Sequence, residues 1–249
     1  MSLNYVETNQ NYWDHNSELY LQGHPEHANP GMHPSWGIWH IAESEMDVLT
    51  SLLPSDGKVV DLGCGIGHDV VGFADMGFDV WGIELSARQL DNAIPHERAE
   101  YVHGVSERLP FEDSFFDAAY SDHGAFDFSP PEVLLREAFR VLKPGGLLAI
   151  CVYSPLLQAC LNGETGSVEN KLLNPWLPST VKSTGEVVVF SYSYSAWVQM
   201  FVAAGFVVLR LEELKAPLDG GTYFREHLDR AWAERWPAEQ LWVVRRPAE

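Results

Sequence analysis

Two carboxylates and three glycines form the pattern in this chain most suited to chemistry. In VVDLGCGIGHDV, Val59 to Val70, Asp61 precedes Gly63, Gly65 and Gly67, and Cys64 stands between the first two glycines. Apolar residues run into the glycines and a mixed polar and apolar segment leaves them, as in a strand that turns tightly into a helix. Glycine permits positive φ and close approach of the backbone to a ligand. The amides of such a turn and the helix N-terminus behind it favour an anionic group. Glu84 stands 17 residues beyond Gly67, at the end of the next strand-like run. A carboxylate at a strand end accepts from both hydroxyls of an unphosphorylated ribose, which argues against NADP. The dinucleotide spacing G-x-G-x-x-G is not met, because the third glycine comes one residue early.

The elements that position these residues read as βαβ units. Strands are expected near 58–62, 79–83, 99–103, 115–121 and 146–153, and helices near 67–76, 86–94 and 131–142. Strands alternating with helices imply a parallel sheet. Residues 1 to about 56 are rich in aromatics and histidine and read as helices around the loop GHPEHANPGMHPSWG. A less regular insertion covers 155–190, followed by a helix near 194–204 and strands near 206–214 and 240–246. Ser129 and Glu132, with Pro130 between them, have the spacing of a capping box for the 131–142 helix. In VLKPGG, Gly145 and Gly146 are expected to stop that helix and Pro144 to prevent its continuation.

The chain has 249 residues, with 16 Lys plus Arg against 35 Asp plus Glu, a formal charge of −19. So acidic a surface argues against nucleic acid and against anionic membrane surfaces as partners, and favours a small or cationic substrate. Cys64, Cys151 and Cys160 are odd in number and form no CxxC pair, which reads as reduced thiols in a cytoplasmic protein. No signal segment and no apolar run of about 20 residues is visible. His15, His24, His27, His33 and His40 crowd the N-terminal region, but no Cys/His pairing accompanies them, so no metal is expected.

The blocks VVDLGCGIG, VWGIELS, GVSERLPFEDSFFDAAYSD and REAFRVLKPGGLLAICVY together resemble the class I S-adenosylmethionine-dependent methyltransferases, in their small-molecule, type-11-like branch. SWGIW near Trp36 and ERWPAE near Trp236 resemble segments of uncharacterised bacterial members. The resemblance implies one domain over 1–249 with an open, mostly parallel seven-stranded Rossmann-like sheet. Its parts would be a helical N-terminal lid (1–56), a cofactor-binding core (57–154), a substrate cap (155–190) and the rest of the sheet (191–249), with the last strand antiparallel.

It further implies that S-adenosylmethionine, leaving as S-adenosylhomocysteine, contacts Asp61, Gly63, Cys64, Gly65, Gly67, Glu84, Leu85, Val105, Ser106 and Ser121. Tyr12, Trp13 and Trp36 would face the sulfonium, since aromatic faces attract cations. Relatives often carry Asp where this chain has Val105, so adenine must be met by Ser106, Glu107 or water. The acceptor would be an O, N or C nucleophile of a small molecule. A general base, where one is needed, would be His123 first, Asp122 second and His40 third. Two other readings stand beside this one: a non-catalytic or regulatory protein of the same fold, and an NAD-dependent oxidoreductase.

Overall fold

A computed structural model describes residues 4–23, 33–176, 179–218 and 228–248. The N-terminal region opens with helix α1 (Tyr5–Gly23), a hairpin of β1 (Ser35–Trp36) and β2 (Ile41–Ala42), and α2 (Glu43–Met46). The core follows as β3 (Lys58–Leu62), α3 (His68–Asp75), β4 (Asp79–Glu84), α4 (Ala87–Leu90), β5 (Ala99–His103), β6 (Phe116–Asp122), α5 (Ala125–Phe128), α6 (Pro131–Val141) and β7 (Leu142–Tyr153). The remainder is α7 (Pro155–Cys160), β8 (Ser179–Ser183), β9 (Val188–Tyr192), α8 (Tyr194–Ala204), β10 (Val207–Leu214), α9 (Arg230–Ala233) and β11 (Glu239–Arg245).

The main sheet has seven strands in the order β10-β11-β7-β6-β3-β4-β5. Strands β3 to β7 are parallel, and β11 runs antiparallel to both its neighbours. The chain builds outward from β3 to β5, then returns to lay β6 against the other side of β3. That reversal is where a crevice opens at the carboxyl ends of the strands.

Both faces of the sheet are covered, so consecutive residues of a strand are buried in turn. Val60, Ala119, Leu148, Ile150 and Trp242 pack toward Leu134 and Leu135 of α6 and Trp197 and Phe201 of α8. Val59, Ala118, Ala149, Leu241 and Val243 pack toward Val70 and Phe73 of α3 and Trp36 of the hairpin. A third cluster caps one end, joining Ile38 and Trp39 to Leu157, Trp232 and Ala238.

The structure corrects four local expectations. Residues 35–42 form a short hairpin where a loop as far as Gly37 and helix beyond it were expected, and Trp36, Ile38 and Trp39 are all buried in it. Helix α4 covers only Ala87–Leu90, capped by the Ser86 hydroxyl accepting from the Gln89 amide. The capping box does not form: Pro130 is the N-cap with no side-chain bond, and Ser129 ends α5 instead. Finally, α6 stops before the glycines, at an extended Leu142 that already pairs with Phe116. The insertion also holds more regular structure than its composition suggests, namely α7 and the β8–β9 hairpin.

Candidate active site

A cavity open to solvent lies at the carboxyl ends of β3, β4 and β6. Its floor is the glycine turn. Gly63 has φ +92, and a Cβ there would lie 2.5 Å from the Ala125 amide nitrogen, so only glycine lets the turn pass beneath the start of α5. Glu84 is clamped across this floor: its carboxylate accepts from the Gly65 amide (2.9 Å) and the Ser86 amide (2.8 Å). One acid thereby fixes both the turn after β3 and the end of β4, and each oxygen retains a lone pair for a ligand hydroxyl. Burial raises its pKa, and the Ser86 and Gly65 amides oppose that rise.

Asp61, also buried, lines the same wall. Burial holds its carboxyl well above the usual range; Asp69, Asp122 and Glu84 add to that, while the Tyr120 phenol pulls the other way. Cys64 is buried with its thiol pushed up by burial and by Asp61 and Glu84, which makes it a packing residue rather than a nucleophile.

Helix α1 forms one side of the cavity through Tyr5, Val6, Asn9 and Trp13. Asn9 holds it in place, being 1% exposed. Its amide donates to the Phe128 carbonyl (2.8 Å) and the Val188 carbonyl (2.9 Å), and its oxygen accepts from the Val188 amide (2.7 Å). It thus serves β9 as a one-residue strand partner. Further along, Asp14 accepts from the Ser86 hydroxyl at 2.7 Å, and Trp13 meets Phe128 edge-on at 5.3 Å.

At the β6 end the wall becomes a buried polar corner. The Asp122 carboxylate accepts from the Gly37 amide at 3.1 and 3.0 Å. Burial pushes its pKa up to about 7, with His123 opposing and Asp69 and Glu239 assisting. His123, at φ +48, is held from both sides: Nδ1 lies 3.0 Å from Asp127 Oδ2 and Nε2 lies 2.6 Å from Glu239 Oε1. Burial alone would lower its pKa, but the hydrogen bonds to Asp127 and Glu239 outweigh that and raise it well above the usual value. Glu239 also accepts from the Ile38 amide at 2.8 Å. Gly37 (φ +71) is required here, since a Cβ would meet the Glu239 carboxylate within 2.6 to 2.9 Å.

Of the residues expected at a donor site, Asp61, Gly63, Cys64, Gly65, Glu84, Leu85, Val105, Ser106 and Trp13 share the cavity wall, as do Asp122 and His123. Five do not line it. Gly67 is the N-cap of α3, and Tyr12 packs edge-on against Trp13 at 5.3 Å. Ser121 is fully buried and donates to the Leu62 carbonyl at 2.9 Å, tying β6 to β3. Trp36 is core, its indole donating to Glu43 at 2.5 Å. His40 sits in the β1–β2 turn at φ +51.

His123, expected as the first candidate base, has both ring nitrogens engaged, by Asp127 and by Glu239. His24 and His27 lie outside the described residues, while His15 and His33 are exposed. Sequence reasoning missed Asp127 and Glu239. Asp127, four residues beyond His123 on the next short helix, could have been found by spacing; Glu239 carried no signal, being 116 residues away.

Comparisons with known proteins bear on the family of the chain. The family model described as a methyltransferase domain matches residues 60–150. An uncharacterized methyltransferase of Synechocystis sp. is 31% identical over 159 residues, which cover 59% of this chain and 75% of the relative. The chain belongs to the S-adenosylmethionine-dependent methyltransferases of class I. A 2-methyl-6-phytyl-1,4-hydroquinone methyltransferase of the same organism is 30% identical over 66% of this chain, and the match spans 54% of its own length. The chain likewise spans about half the length of a demethylmenaquinone methyltransferase of Clavibacter sepedonicus, at 48%.

Solved structures share the fold at low identity. An S-adenosylmethionine-dependent methyltransferase of Mesorhizobium loti superposes with a TM-score of 0.62 at 21% identity, covering 79% of this chain and 94% of its own. The [4+2]-cyclase SpnF gives 0.66 at 19% identity over 96% of both chains. Among the described residues, no helix is long and apolar enough to cross a membrane.

Proposed function

We propose that this methyltransferase carries the methyl group of S-adenosylmethionine to an O, N or C nucleophile of an uncharged or cationic small molecule. The observation that carries the reading is the clamp of Glu84 on the Gly65 and Ser86 amides beside Asp61. Glu84 would take the ribose hydroxyls, the glycine turn the donor's carboxylate, and Asp61 its ammonium. Val105 and Ser106 line the wall where adenine would lie. The single domain over 1–249, with α1 as lid, is part of the same proposal.

The cavity wall supports the choice of substrate class. Asp61, Asp69, Glu84, Glu107 and Asp122 line it, and among the described residues no lysine or arginine does. Such a wall attracts the donor's sulfonium and repels carboxylate or phosphate acceptors. An acceptor would lie against Trp13 and Phe128, and the names of the hydroquinone and menaquinone relatives fit an uncharged ring. The sulfonium is already an activated donor, so the protein's work is chiefly to align the acceptor and exclude water.

Calorimetric titration with S-adenosylmethionine, S-adenosylhomocysteine and NAD tests this. Binding of the first two, with NAD silent, is the expected outcome. Binding of NAD alone would overturn the donor assignment, and so would failure of both sulfur compounds to bind.

A further inference from the structure

The polar corner gathers more titratable groups than methyl transfer requires. Asp122, Asp127 and Glu239 surround one imidazole, and among the described residues no lysine or arginine pairs with any of them. The Cys151 thiol, fully buried at the end of β7, completes the group: its sulfur is 3.8 Å from Glu239 Oε1. Donor atoms of Asp122, His123 and Cys151 all lie within 4.8 Å of one another, and Glu239 Oε1 is 2.6 Å from His123 Nε2.

We propose that Asp122, His123, Cys151 and Glu239 bind one zinc ion in the cavity wall. Ligand atoms about 2.0–2.3 Å from a tetrahedral zinc stand roughly 3–4 Å apart, so small side-chain shifts bring Asp122, His123 and Cys151 into place, and Glu239 Oε1 already stands beside His123 Nε2 and Cys151 Sγ. Three further observations point the same way. His123 presents Nε2 to the group while Nδ1 faces the buried Asp127 carboxylate at 3.0 Å, the arrangement in which an outer carboxylate orients a ligating histidine. The Ile38 amide steadies Glu239 Oε1, and the fully buried Oε2 of the same residue has no hydrogen-bond partner. A mixed nitrogen, oxygen and sulfur donor set suits zinc better than magnesium or calcium. On binding, the Cys151 thiol loses its proton and the imidazole loses the one on Nε2. The ion thus replaces two protons, and Asp127 keeps the Nδ1 proton as acceptor.

The proposal does not rest on the donor assignment, and its test uses the metal alone. The full chain, stripped with a chelator and dialysed, is titrated with Co²⁺ and then Zn²⁺. The expected result is one equivalent of cobalt with a thiolate-to-metal charge-transfer band, displaced stoichiometrically by zinc. Cys151→Ser should abolish the band, and Glu239→Gln should weaken zinc affinity by at least about tenfold. Asp127→Asn should weaken it less while leaving the band in place. Wild-type protein that retains well below one equivalent of zinc would overturn the proposal without any variant. So would a band and affinity unchanged in Cys151→Ser, which would put the metal elsewhere in the chain.

Discussion

The two ends of the cavity are built on different principles. The end proposed for the donor is local: Asp61, the glycine turn and Glu84 span little more than one strand–helix–strand unit, and Glu84 reaches back 19 residues to Gly65. The polar corner is assembled across the whole chain, with Gly37 bonded to Asp122 over 85 positions and Ile38 to Glu239 over 201. A local site depends on backbone amides that any correct turn supplies. A long-range site depends on the sheet and the hairpin being placed correctly first.

Substitutions that strike one end alone can break that contrast. The largest effect is expected from Glu84→Ala. Loss of charge-assisted bonds to a ribose, at about 1.5–3 kcal/mol each, should weaken S-adenosylhomocysteine at least about a hundredfold by calorimetry. The melting temperature should fall far less than that ratio suggests, because the sheet is untouched.

Gly37→Ala is the converse. Its Cβ would enter the Glu239 carboxylate at a positive φ, so a cost of about 1–3 kcal/mol and a fall of several degrees in the melting temperature are expected. Donor affinity should stay within about threefold, as for distant independent sites. Equal damage to both readouts in either variant would show that the two ends are one unit.

Asn9→Ala should expose how far the start of α1 depends on this side chain. It leaves the Phe128 and Val188 groups without their partner, at about 1–3 kcal/mol, and should raise hydrogen exchange in α1 above that of the sheet. The smallest effect is a pH dependence at the donor end. Asp61 holds its proton above the usual carboxylate range, and the ammonium of the donor favours the ionised form. Affinity for S-adenosylhomocysteine should therefore rise with pH from the ordinary carboxylate range up through the raised value, then level off. Binding heats measured in buffers of different ionisation enthalpy should reveal proton release at the acid end; its absence would remove Asp61 from the ammonium.

The same contrast explains what could be read from the residues alone. Strands β3 to β6 and helices α3, α6 and α8 follow from period and from the glycine turn, because each is decided within its own segment. The hairpin at 35–42 could not be read that way. Its conformation is set by Glu43, Asp122 and Glu239 accepting from Trp36, Gly37 and Ile38, partners that no local pattern announces. Trp36 looked like a lid aromatic and is core for that reason. His123 was found by its position at a strand end, but its chemistry depends on Glu239, which only the returning strand β11 delivers.

Asn9 has a consequence for the order in which the molecule is made. Its partner Val188 lies 179 residues downstream, so this contact of α1 forms only once β9 has been made. Trp13 can meet Phe128 and Asp14 can meet Ser86 before β9 exists, whereas Asn9 and Tyr5 wait for Val188 and Phe190. A nascent chain cut short before Val188 would hold a glycine turn and a Glu84 clamp while the start of α1 still lacked β9. The first turns of α1 are thus fastened by a hairpin that follows the whole glycine-turn and Glu84 clamp in the sequence.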